Sequence, residues 1–113
     1  MNLEENKLFH DILICISSID DHLEHRKIFE DYLKNKTKRR AVERELEIIG
    51  EAVNKLTKLN PSIKISFSRQ IVDLRNKVIH SYDNVNDMII WNVIINHLPT
   101  LKAEIDILIG EKK

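Results

Sequence analysis

Glycine and proline occur only twice each in this 113-residue chain. With so little material for tight turns, the chain is steered toward a few long helices rather than many short strands. The apolar spacing agrees. Phe9, Ile12, Leu13, Ile16, Ile19 and Leu23 recur at helical intervals and mark a first helix over about residues 4–25. Ile28, Phe29, Tyr32 and Leu33 continue the pattern on a short segment after a bend near His25. Lys34 to Thr37 reads as a turn, with Thr37 placed to cap the next helix. Val42, Leu46, Ile49, Val53 and Leu56 define that amphipathic helix over about 38–58. Gly50 lies inside it, a position that costs about 1 kcal/mol against alanine, so close packing of another helix is the expected compensation.

Asn60-Pro61-Ser62 breaks the pattern. A third long helix is expected over about 66–80, with Phe67, Ile71, Leu74 and Val78 inward. A last one runs over about 87–109, capped by Asn84 or Asn86 and kinked at Pro99, which cannot donate a backbone hydrogen bond. The expected fold is all-α: one domain over residues 1–113, an antiparallel four- to five-helix bundle. Met88-Ile89-Ile90-Trp91 and Val93-Ile94-Ile95 are apolar on more than one side, so the last helix needs a cover beyond its own bundle. A homodimer contact is the natural one.

Apolar residues make up 42% of the chain and aromatics only 5%, so the core must be built from Ile, Leu and Val. Eighteen basic and eighteen acidic residues cancel, which excludes a blanket basic surface as the source of any nucleic-acid affinity. Such binding would need a local patch. Cys15 is the sole cysteine and sits in an apolar run, as expected of a buried, inert thiol. Glu4, Glu5 and Lys7 interrupt any signal-like apolar run, and no stretch approaches a membrane span. A cytoplasmic chain with no membrane contact is expected.

Residues 75–82, Arg-Asn-Lys-Val-Ile-His-Ser-Tyr, gather a guanidinium, an amide, an imidazole and a phenol within about two helical turns. Arg75 offers five fixed donors to a phosphate and stays charged. His80 can exchange a proton near neutrality. A phosphate clamp beside a proton shuttle is what metal-free RNA cleavage needs. Five residues of ideal helix turn through about 500°, so Arg75 and His80 lie roughly 140° apart. Both can serve one site only if the helix bends or ends near His80, and Ser81-Tyr82-Asp83-Asn84 favours ending it.

Arg75-Asn76-x-x-x-His80-x-Tyr82 resembles the Rx4HxY signature of the HepT-like branch of the HEPN superfamily, the toxin half of HEPN/MNT toxin–antitoxin pairs. The segment Arg40 to Ala52 and the stretch from Trp91 through Leu98-Pro99-x-Leu101 agree with that branch, so the likeness spans about residues 5–109. The resemblance implies a metal-independent endoribonuclease, with transfer RNA among the plausible substrates. In such enzymes a 2′-hydroxyl attacks the adjacent phosphate. It assigns His80 to proton transfer, Arg75 to phosphate charge and Asn76 to holding either one, in a cleft where two protomers meet. It also implies an MNT-type nucleotidyltransferase antitoxin that attaches AMP to Tyr82. The alternative is a non-catalytic helical module that docks such a nucleotidyltransferase.

Other residues are weaker candidates. Glu51 could orient Arg75 as a bidentate carboxylate, or merely pair with a nearby cation. Lys34, Lys36, Lys38, Arg39 and Arg40 form a run that reads as an RNA phosphate track, a partner contact or a solvated face. Asp20, Asp21, His22, Glu24 and His25 form a polar helix end rather than a metal site. His10 and His97 read as surface or boundary residues. No Gly-rich phosphate loop, nucleophile elbow or paired-carboxylate motif is present, which disfavours nucleotide hydrolysis and esterase chemistry and gives no reason to expect a cofactor.

Overall fold

Helical periodicity is realised almost where the apolar spacing puts it. The structure, a computed structural model, describes residues 3–80 and 86–111, His80 through its backbone alone. Its helices are α1 (Leu3–His22), α2 (Phe29–Lys34), α3 (Lys36–Leu59), α4 (Ser68–His80), α5 (Asp87–Asn92) and α6 (Leu98–Glu111), with a π-helical stretch, Val93–His97, joining the last two. The architecture is all-α, and the described residues contain no strand. α3 packs along α1 on one side and α4 on the other, while α6 lies against α1. The body measures 43 × 28 × 19 Å. Its least dimension is about two helix diameters, so most helices are covered on one side only.

The core is aliphatic, as the composition requires. Val42, Leu46, Ile49, Val53 and Leu56 of α3 are buried, and Phe9, Ile12, Ile16 and Ile19 of α1 meet them. Ile90, Val93, Ile94, Leu98, Leu101 and Ile105 close the core from the last rod. One tyrosine joins them: Tyr32 is fully buried, and with Phe29 it packs on Trp91, each ring centroid 5.5 Å from the indole. That cluster fastens the short α2 to the last rod.

The helix ends correct several expectations. α1 stops at His22, because the Glu24 N–H donates to the Asp21 carbonyl (2.9 Å) and the His25 N–H to the Asp20 carbonyl (2.8 Å). Glu24 and His25 take left-handed φ values of 57° and 58°, which closes the helix as glycine commonly does. The cap of α3 is Asn35 and not Thr37. Asn35 has an extended backbone, so its side-chain oxygen reaches the Lys38 N–H at 3.0 Å, whereas Thr37 already lies in the first turn. Asn86 caps α5, accepting from the Met88 and Ile89 N–H groups.

The α3–α4 link is more than a break. Ile63 and Ile65 are buried within it. Asn60 Nδ2 donates to Glu5 Oε1 of α1 (2.9 Å), and Ser66 donates through Oγ to Glu104 of α6 (2.7 Å). Around Pro99 the rod absorbs the missing donor in a wide turn: the Leu98 N–H bonds back five residues to the Val93 carbonyl. The expected disturbance at Pro99 thus takes the form of a π-turn.

Cys15 is buried, and that burial, reinforced by the Glu45 carboxylate, pushes its thiol up to about 12. We therefore expect native protein at pH 8 to resist iodoacetamide at least about 1,000-fold better than unfolded chain, since only the thiolate reacts. The unfolded thiol titrates near 9.0, so this group favours unfolding as pH rises from there toward about 12. Rapid native alkylation, read by intact mass, would contradict the burial.

Candidate functional site

The site grows from the line where α4 crosses α3. Ile71 and Leu74 bury the inner stripe of α4, and Arg75 falls at the border of that stripe, half-buried. Directly beneath it lies Gly50. A methyl group on Gly50 would overlap Arg75 Cβ, with Arg75 Cγ at 2.8 Å and the Ile71 carbonyl oxygen at 3.3 Å. The stem of Arg75 therefore lies on bare α3 backbone. The close packing expected at Gly50 is real, and the group packed there is the candidate phosphate ligand itself.

The head of Arg75 is held separately. Its Nη1 donates to Oδ1 of the neighbouring, exposed Asn76 at 2.9 Å. Its Nε is buried and has no hydrogen-bond partner among the described residues. With no carboxylate paired to it among those residues, the fork keeps its charge for an outside anion.

His80 is the final residue of α4. From Arg75 to His80 the axis advances by about 7.5 Å, and the two positions differ by roughly 140° around it. Tyr82 lies outside the described residues, as does the His80 side chain.

Glu51 does not pair with Arg75. It is exposed, and its carboxylate meets Lys55 at 3.2 Å. The reason is rotational: one residue beyond Gly50 turns Glu51 by about 100° toward α1. There it borders a depression of about 160 Å³ with Lys7, Asp11 and Lys55. The support expected of Glu51 comes instead from Asn76 and the backbone at Gly50.

The basic run is reshaped by the fold. In sequence it has no acidic neighbour, but Glu24 approaches Lys38 at 3.6 Å and Glu43 holds Arg40 at 3.1 Å. The Arg39 guanidinium donates to the Leu33 carbonyl. Lys34 and Lys36 remain exposed without an ion-pair partner among the described residues, on the wall of an open depression of about 510 Å³. This run sits close to the start of α5. Burial first, then the charges of Asp87 and Glu43, push the Tyr32 phenol above its ordinary range, opposed by Arg39 and Arg40. The starts of α3 and α5 therefore converge around one side chain, next to the connection that carries Tyr82.

The remaining histidines have separate partners. His22 meets Glu45 at 3.1 Å, His25 meets Asp21 at 3.2 Å, and His97 stacks on Phe67 at a centroid distance of 4.1 Å. The polar end of α1 is thus a set of ion pairs.

An α-helical bundle with an Rx4H pair on the edge of α4 has relatives. A family model described as "Ribonuclease HepT-like" matches residues 12–108. A "Putative RNase" of Caldanaerobacter subterraneus subsp. tengcongensis is 38% identical over 87 residues, covering 75% of this chain and 77% of its own. A "Putative RNase" of Methanocaldococcus jannaschii is 36% identical over 104 residues, covering 90% and 84%. A "Probable ribonuclease HepT" of Thermococcus cleftensis is 37% identical over 82 residues, covering 69% and 72%. No solved structure matches the chain significantly. The chain belongs to the HepT-like ribonuclease family.

Proposed function

We propose that this chain is a metal-independent endoribonuclease that acts as a homodimer and is restrained by a nucleotidyltransferase that attaches AMP to Tyr82. The observation that carries the reading is Arg75, held at the border of α4 by Asn76 without a paired carboxylate, five residues before His80. In the reaction a 2′-hydroxyl loses its proton and its oxygen attacks the adjacent phosphorus. The P–O5′ bond breaks, and the departing 5′-oxygen takes up a proton. The products are a 2′,3′-cyclic phosphate and a 5′-hydroxyl. His80 moves a proton to or from these oxygens, and Arg75 neutralises the charge that builds on the phosphorane.

Helix geometry favours a site shared by two copies. An unbent α4 aims Arg75 and His80 in different directions. A cleft between two protomers lets the motifs face each other across the substrate. The surface available for that contact is apolar. Met88 is 71% exposed, Ile89 41% and Ile79 37%, all flanking the α4–α5 connection. Lys34 and Lys36, the unpaired part of the basic run, supply a contact for flanking RNA phosphates. No described helix is long and apolar enough to cross a membrane.

Arg75→Ala and His80→Ala should keep helical circular dichroism and lose RNA cleavage by about 100-fold or more, while the parent works undiminished in EDTA. Arg75→Lys should also be impaired, because a point charge cannot replace a planar fork. A His80→Ala protein as fast as the parent would leave the docking-module alternative standing. Met88→Asp, at a side chain the monomer leaves open, should shift sedimentation from dimer to monomer and abolish cleavage with it. A monomeric parent at micromolar concentration would remove the shared cleft. Tyr82→Phe keeps the ring and loses the nucleophile, so it should cleave RNA yet escape neutralisation. Intact mass after incubation with the nucleotidyltransferase and ATP should show AMP on the parent only; equal adducts on Tyr82→Phe would refute the assignment.

A further inference from the structure

Gly50 lies on α3, a different helix from the Rx4H residues, yet it is the nearest backbone to Arg75. Two facts about it do not fit a purely architectural role. It occupies a helix interior, where alanine would form a better helix. The contact that forbids a methyl there is made mainly by the Cβ and Cγ atoms of Arg75, with the Ile71 carbonyl oxygen at 3.3 Å. The core residues around it, Ile49 and Val53 on α3 and Ile71 and Leu74 on α4, would hold the two helices together without it.

A free arginine samples many rotamers, and each must be given up when it grips a phosphate. Here the stem already lies against α3, Nε is buried, and Nη1 is tied to Asn76 at 2.9 Å. The guanidinium is fixed before any ligand arrives, the condition under which charge stabilisation contributes most to a rate. We propose that Gly50 is a positioning residue: its missing side chain is the seat that sets where the Arg75 guanidinium stands. The inference rests on the ribonuclease reading of Arg75. It adds that a residue which never meets RNA controls the turnover rate.

A methyl at position 50 forces the stem of Arg75 and the adjoining turn of α4 outward. Displacements of about 1 Å at a positioned group can cost on the order of 100-fold in rate. The test is steady-state cleavage of a short RNA by four proteins: parent, Gly50→Ala, Arg75→Ala and the double variant. Gly50→Ala should remain helical and lower kcat by about 10- to 100-fold with KM within about twofold. In the Arg75→Ala background the same substitution should cause no further loss, because no guanidinium remains to be displaced. A folded Gly50→Ala with parental kcat, or equal losses in both backgrounds, overturns the proposal. If Gly50→Ala does not fold, ¹⁵N relaxation of the Arg75 Nε–H in the parent decides: order like that of the backbone supports the seat, and free motion like that of exposed Arg69 overturns it. An Arg75→Ala protein that cleaves normally would instead sink the ribonuclease reading, and the relaxation result would still report on the seat.

Discussion

Two helices meeting without an intervening side chain organise this molecule. At Gly50 the backbone of α3 comes within contact of the Arg75 stem and the Ile71 carbonyl. That approach places α4 at its depth on α3, and α3 is also the helix on which α1 packs. A larger residue at this crossing would separate the layers on which Ile71, Leu74, Ile49 and Val53 depend for burial. The same contact governs the chemistry, because an arginine stem is what lies in the gap. Stability and site geometry thus share one point.

The second constraint is thinness. A body 19 Å across in its least dimension leaves each helix one wet side. Along α3 that side is charged, with Arg44–Glu47 and Glu51–Lys55 pairs at helical spacing. At the start of α5 and the end of α4 it is apolar, at Met88, Ile89 and Ile79. The surface chemistry changes where the candidate site begins, which is what a site assembled from two copies requires.

The long helices were legible because aliphatic residues repeat at helical spacing and glycine and proline are nearly absent. Val42, Leu46, Ile49, Val53 and Leu56 all went where the period put them. Gly50 was legible as a close contact, but its partner was not, since the register between α3 and α4 is set in three dimensions. Glu51 illustrates the same limit: one residue of helix rotation sends it to Lys55 instead of Arg75. The basic run looked unopposed because Glu24 and Asp31 reach it only through the turn after α1 and the short α2. Ile63 and Ile65 were hidden behind Pro61, since a two-residue apolar pattern in a link has no period to read.

The π-turn at Val93–His97 carries one residue more than an α-helical path would need for the same advance. It works as a phase adjuster between the part of the rod that holds α2 through Trp91 and the part that closes the core through Leu101 and Ile105. Deleting a single residue there would restore an ordinary helix and rotate everything beyond it by about 100°. Ile105 would swing away from α1 while Trp91 stayed in place. Length variation among related chains should accordingly fall in the α1–α2 turn or the α4–α5 connection, and this rod should keep its residue count even where its side chains change.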